Sequence, residues 1–389
     1  MKAPKSHLSR GFTLIELMLS TAVIALLMLL FISMVDQTSR IWSRTSAKIS
    51  QFQATRAAFD AMTRTLSQAT LNTYWQSDPP KPTTAALMTN WSPSAYARAS
   101  DLHFVSGLAK QADLIGGTET VNPTHTVFFQ APLGTTSQAD PGNANLRKYD
   151  RLDNLLTAVG YYLEWGPDKS RPKFLDDMTP KLDPRYRFRL MEVKQESEDL
   201  ALYGMASAGA AAYKPTDWIK AALGKQVGSW APAPAATGTG SGRLLEARVM
   251  AENIVALIIL PKTSTSAATT TSANRDLSPK YRYDSRPTNG STLLTWADLS
   301  KGSYATERQW FNQLPPVVEV TMVAIDELSA QRFNNSTPPD WAVGLFTDAT
   351  KLEDDLKALE TKLQTAKVNY RVFSTDVVIR GSKWTRPEK

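Results

Sequence analysis

The chain of 389 residues carries 44 Lys and Arg against 37 Asp and Glu, three histidines and no cysteine. That length allows one large domain or two ordinary ones. Without cysteine there is no disulfide, no thiolate zinc site and no cysteine nucleophile. A net charge of +7 with no basic-aromatic cluster gives no expectation of nucleic-acid binding.

The first segment, Met1–Gly11, holds Lys2, Lys5 and Arg10 and no acid. An almost unbroken apolar run follows from Phe12 to Val35, interrupted early by Glu16. A carboxylate at the centre of a membrane helix costs roughly 2.5–3.5 kcal/mol on insertion scales, so Glu16 needs a reason. An ordinary secretory signal places its cleavage site after the apolar stretch. Here the small residue, Gly11, stands before it. Basic residues ahead of the run and none within it orient the leader inward. Phe12 is then expected at the cytoplasmic face, and the bulk of the chain outside the inner membrane.

Residues 10–17, Arg-Gly-Phe-Thr-Leu-Ile-Glu-Leu, together with the basic leader resemble the type IV prepilin and pseudopilin superfamily. The resemblance implies that a prepilin peptidase cuts between Gly11 and Phe12 and methylates the new amine of Phe12. It further implies that Glu16 pairs with the corresponding amine of a neighbouring subunit, an anion in lipid finding the nearest cation. The implied partners are the peptidase, other pilin or pseudopilin subunits and the inner membrane. Loss of Lys2, Lys5 and Arg10 with the leader takes the net charge from +7 to +4. The alternative is a plain signal anchor with Glu16 at the headgroup level.

The helix is expected to continue beyond the bilayer. Ile41, Ile49, Phe52, Phe59, Met62 and Leu66 fit one helical stripe, and no Pro or Gly occurs from Phe12 to Ser77. About 55–60 helical residues would span roughly 85 Å. A shorter anchor followed by an independent helix is the other possibility. The expected division is a leader at 1–11, a membrane or filament-core half at 12–35, an extracytoplasmic half at 36–78, and a β-rich domain at 79–389.

In that domain, strand patterns occur at Asp101–Val105, Thr124–Gln130, Ala158–Trp165, Tyr186–Val193, Glu252–Leu260, Pro316–Ile325 and Tyr370–Arg380. The nearly continuous apolar run at Glu252–Leu260 predicts a buried strand. Ala231–Gly242, rich in Ala, Pro, Gly and Thr, predicts a flexible tether, and Thr263–Ser291 a long polar loop. Between Thr347 and Lys367, Leu352, Leu356, Leu359 and Leu363 form an amphipathic stripe, with Glu353–Lys357 as an i,i+4 support pair. Such a helix either binds a partner or, as we expect, docks on its own sheet. The predicted class is α+β: a long N-terminal helix on an enlarged antiparallel β domain with an extra C-terminal amphipathic helix.

The order of these segments resembles the J-type minor pseudopilins of type II secretion and the W-type minor pilins. Asn312–Glu327, Asn369–Thr375 and Arg380–Trp384 resemble more closely the prepilin-type cassette protein C of Verrucomicrobia. In the resembled superfamily the tip-most K-type subunit typically lacks the glutamate. Retention of Glu16 therefore implies a place beneath at least one other subunit.

No catalytic motif is visible. His7 leaves with the leader, and His103 and His125 lie on separate predicted strands. The acidic clusters at Asp176–Asp177 and Glu353–Asp355 lack calcium-loop spacing. No enzyme activity, cofactor or metal is expected. Two readings remain: a minor structural subunit of a type IV pilus or type II secretion-like filament, or a membrane-anchored extracytoplasmic adhesin or enzyme that borrows a prepilin-type anchor.

Overall fold

The computed structural model describes residues 13–383 apart from 79–80, 83, 85–87, 89, 94, 137–138, 141–142, 148–151, 153, 169–170, 173, 181, 198–199, 204–213, 225–246, 264–276, 290–291, 295 and 300–309. The leader with Gly11 and Phe12, the predicted tether at 231–242 and most of the Ser/Thr-rich part of the 263–291 loop lie outside the described residues. The chain divides into two units, Met1–Gln53 and Ala54–Lys389. Its class is α+β, a long apolar N-terminal helix followed by antiparallel sheets.

Helix α1 (Leu14–Leu66) is 53 residues long. In the first unit its stretch Leu14–Ser43 is long and apolar enough to cross a membrane and is not buried. In the second unit its last residues carry the inward stripe: Phe59, Met62 and Leu66 are buried, and the Phe59 ring lies 6.0 Å from that of Phe373. The helix ends at Leu66 and does not run on to residue 78. The residues beyond, Thr70, Asn72, Thr73, Tyr74 and Trp75, are β-branched, aromatic or side-chain-bonding types that favour other backbone states. Asn72 Oδ1 accepts from the backbone N–H groups of Asp101 and Leu102 at 2.9 and 3.1 Å, and Thr70 N–H donates to Gln130 O at 2.9 Å. These bonds replace the helical ladder. The chain then forms strand β1 (Tyr74–Asp78), paired antiparallel with β2 (Ala95–Ala99).

The main sheet has six strands: β3 (Val105–Leu108), β4 (His125–Pro132), β5 (Leu156–Pro167), β6 (Tyr186–Gln195), β7 (Arg248–Glu252) and β9 (Tyr283–Asp284). Their order is β9-β3-β4-β5-β6-β7, every neighbour antiparallel. A second sheet, β8-β10-β11, joins β8 (Ile254–Lys262), β10 (Val317–Ile325) and β11 (Tyr370–Val378). The predicted strand at Asp101–Val105 is shifted to β3. His103 N–H donates to Gln130 Oε1 and Phe104 N–H to Ser285 Oγ, so side chains take the bonds a ladder would use.

The predicted Glu252–Leu260 strand is two strands. Asn253, at φ 64°, separates β7 from β8. Its N–H donates to Phe188 O in the main sheet at 2.7 Å, and its C=O accepts from Ile325 N–H at the end of β10 at 2.9 Å. One residue in the left-handed region thus passes the chain from one sheet to the other. At the centre of the main sheet, Gly160 stands opposite Phe128, where an added Cβ would lie 2.1 Å from the ring.

Helix α2 (Leu352–Thr365) buries Leu359 and Leu363 in a cluster with Val323, Ile325, Trp341, Phe346 and Val368. It docks on its own domain. Glu353 and Lys357 form no ion pair; both are exposed, and such pairs contribute only tenths of a kcal/mol, roughly 0.3–0.5. After β11 the chain returns to the end of α1, where Arg380 N–H donates to Ser67 O at 2.9 Å.

Candidate assembly site on the N-terminal helix

Thr13 and Glu16 begin α1 as a reciprocal cap. Glu16 Oε2 accepts from Thr13 N–H at 3.1 Å and from Thr13 Oγ1 at 3.0 Å, while Glu16 N–H donates to Thr13 Oγ1 at 3.3 Å. This is the Thr-x-x-Glu capping pattern, with the acid also favoured by the positive end of the helix dipole. Around it, Leu14, Ile15, Leu17 and Met18 are all exposed. The site is therefore one carboxylate on an uncovered apolar helix. A carboxylate offers about four acceptor positions, and Glu16 Oε1 has no partner among the described residues. It is open to a cation brought by another chain.

The two histidines of the β domain have separate partners and are not brought together as a ligand pair. His103 Nε2 lies 2.6 Å from Asp284 Oδ1, and Trp218 Nε1–H donates to His103 Nδ1 at 3.1 Å. His125 Nε2 lies 2.9 Å from Phe346 O, and its Nδ1 accepts from Ile259 N–H at 3.1 Å. That pattern puts the proton on Nε2. Burial lowers the His125 pKa to about 4, partly opposed by the bond to Phe346, so the ring is neutral. Among the described residues no group of three or more His, Asp or Glu is placed to hold a metal ion.

Sequence patterns did not single out the charged junction between the sheets. Arg185 Nη2 and Arg189 Nε reach Glu252 at 2.6 and 3.2 Å, and Arg187 Nη2 reaches Glu327 at 2.8 Å. Asn253 Nδ2 donates to Glu327 at 2.7 Å. The available signal was Arg-Tyr-Arg-Phe-Arg, whose period of two sets three guanidinium groups on one face of β6 or just before it. With Arg187 only 2% exposed, the cluster is a structural tie across the Asn253 switch.

Residues 7–32, which span Gly11, Phe12 and Glu16, match the family model described as the prokaryotic N-terminal methylation motif. No curated protein and no solved structure matches the chain. The motif indicates a type IV pilin-like chain that a prepilin peptidase processes. The apolar helix that follows is the kind that anchors such chains by a single membrane pass.

Proposed function

We propose that this chain is a minor, low-copy structural subunit of a type IV pilus or type II secretion-like filament, without enzymatic activity. The observation that carries this is Glu16: a half-open carboxylate at the start of an exposed apolar helix, inside an N-methylation motif. In the assembled filament Glu16 exchanges part of its cap on Thr13 for the methylated Phe12 amine of the next subunit. The pair forms in a low-dielectric setting, where an unpaired carboxylate is costly.

The size of the β domain supports a minor place, because so large a domain hinders dense packing in a thin fibre of identical subunits. Segment order supports kinship with the J-type and W-type minor subunits, and the C-terminal third with the verrucomicrobial cassette protein C. Retention of Glu16 supports a position beneath at least one other subunit. The β domain lies on the extracytoplasmic side in this reading.

Mass spectrometry of the N-terminal peptide from native membranes tests the processing step, with methylated Phe12 as the expected first residue. Crosslinking of Glu16→Ala tests assembly. The variant should stay in the membrane yet be lost from filaments, and normal incorporation would sink the proposal.

A further inference from the structure

Among the described residues the two larger sheets end in four edge strands, β9, β7, β8 and β11, of which the first three are short or covered. β9 has two residues, and β7 has five with a register shift against β6. β8 is covered: its Leu257 N–H donates to Thr124 Oγ1 at 3.0 Å and its Ile259 N–H to His125 Nδ1 at 3.1 Å. Short strands, bulges and cover are the usual protections of a sheet edge. β11 has none of them.

β11 pairs with β10 over nine residues without a register shift and contains neither proline nor lysine. Asp326 N–H donates to Asn369 O and Ile379 N–H to Pro316 O, both at 3.1 Å, so the odd-numbered residues bond to β10. Tyr370, Val372, Ser374, Asp376 and Val378 turn their N–H and C=O groups the other way. These groups have no partner among the described residues. Side chains on both faces are exposed, Arg371 and Thr375 on one and Ser374 and Asp376 on the other, so solvent reaches the strand from either side.

An open edge of this length fits one kind of ligand, an extended polypeptide. Charge decides which. The register sets Asp376 directly opposite Glu319 on β10, and like charges in that position are unfavourable. Glu319 has Lys262 of β8 at 2.5 Å, whereas Asp376 has no ion pair among the described residues. A strand added beyond β11 would set its own residue opposite Asp376, where a cation offsets the paired acids. On the same face Val372 and Val378 are 36% and 64% exposed and suit β-branched neighbours. A second copy of β11 does not meet this need. Arg371 lies on the other face, and a two-fold axis through Ser374 would set Val372 against Asp376.

We propose that the edge of β11 receives an extended segment of a different protein chain, added antiparallel as a further strand. That segment carries Lys or Arg opposite Asp376 and β-branched apolar residues opposite Val372 and Val378. The edge lies wholly within the β domain, so this inference goes beyond the filament reading and stands without it.

The test is fluorescence anisotropy on the full-length chain in detergent micelles, with the labelled peptide Thr-Val-Thr-Lys-Thr-Thr-Thr-Val-Thr as probe. It should bind saturably, and about fivefold more tightly than the same peptide with Glu for Lys, the margin of one cross-strand charge pair. Asp376→Lys, at an exposed side chain, should reverse that order. Methylating the peptide nitrogens of its Val and Lys residues, which face β11, should abolish binding; methylating those of the intervening Thr residues should not. The proposal is overturned if the wild-type chain does not bind the Lys peptide, if either methylated peptide behaves like the other, or if Asp376→Lys keeps the original order. A dimer in sedimentation that Val372→Pro disperses would assign the edge to a second copy and also overturn it.

Discussion

The Asp284 carboxylate meets His103 Nε2 at 2.6 Å in the interior of the β domain, joining two residues far apart in sequence. Burial alone would raise the Asp284 pKa. His103 and Arg282 more than offset it and hold the group well below the usual carboxylate range. A depressed carboxylate contributes stability that is present above its unfolded value of 3.8 and is lost as pH falls below it. Asp284→Asn should destabilise the domain by roughly 3 kcal/mol, since it removes the buried anion facing His103 and one of the two carboxylates on Arg282, which keeps Asp113. Urea denaturation at neutral pH checks the loss, and repetition between pH 5 and 2 should show a weaker acid dependence in the variant.

His125 has the opposite sign of charge change and a different window. Its pKa is about 4 in the fold against 6.5 unfolded, so the unfolded chain binds more protons between those values. Stability from this residue is complete above pH 6.5 and falls as pH drops towards 4, by roughly 3 kcal/mol in total. Denaturation midpoints measured from pH 7.5 to 4 should fall steadily, and His125→Gln should flatten that slope. An unchanged slope in the variant would contradict the buried neutral ring.

Gly160 is required by Phe128. With the ring occupying the space of a Cβ, Gly160→Ala should cost about 1–3 kcal/mol or more through overpacking. The double variant with Phe128→Leu should recover part of that loss, which a double-mutant cycle will measure. Additive losses would mean that the two residues do not share this space.

Asn253 holds a backbone conformation that few residues adopt, and its side chain also reaches Glu327. Asn253→Ala should cost about 1–3 kcal/mol from strain and the lost bond together. Asn253→Gly relieves the strain and loses only the bond, so it should fall between wild type and Ala. Thermal denaturation of the three proteins gives the order directly.

Periodicity made most of the architecture legible. The long apolar helix, the alternating β6, the continuous run of β8 and the leucine stripe of α2 all stand where local pattern is strong. The errors fall where long-range partners decide. Thr70 and Asn72 leave the helix for bonds to the Gln130 backbone and the Asp101 turn, and His103 and Phe104 spend their N–H groups on side chains. A window of a dozen residues contains none of those partners. Glu16 was legible because a lone acid in an apolar run is conspicuous. The cavity lined by Arg286, Asn312 and the β1–β2 hairpin was not, because those residues converge only after folding.

The bond between Ser67 and Arg380 has a mechanical consequence. The top of α1 is held by the chain's last segment, at Arg380 N–H, and by the middle of the main sheet, where Thr70 meets Gln130. Tension drawn along the helix would not peel away one terminal element at a time. It would be shared between the earliest and latest parts of the domain, which must give way together. A domain tied in this way resists a pull along α1, and a tag fused close behind Arg380 would loosen the knot.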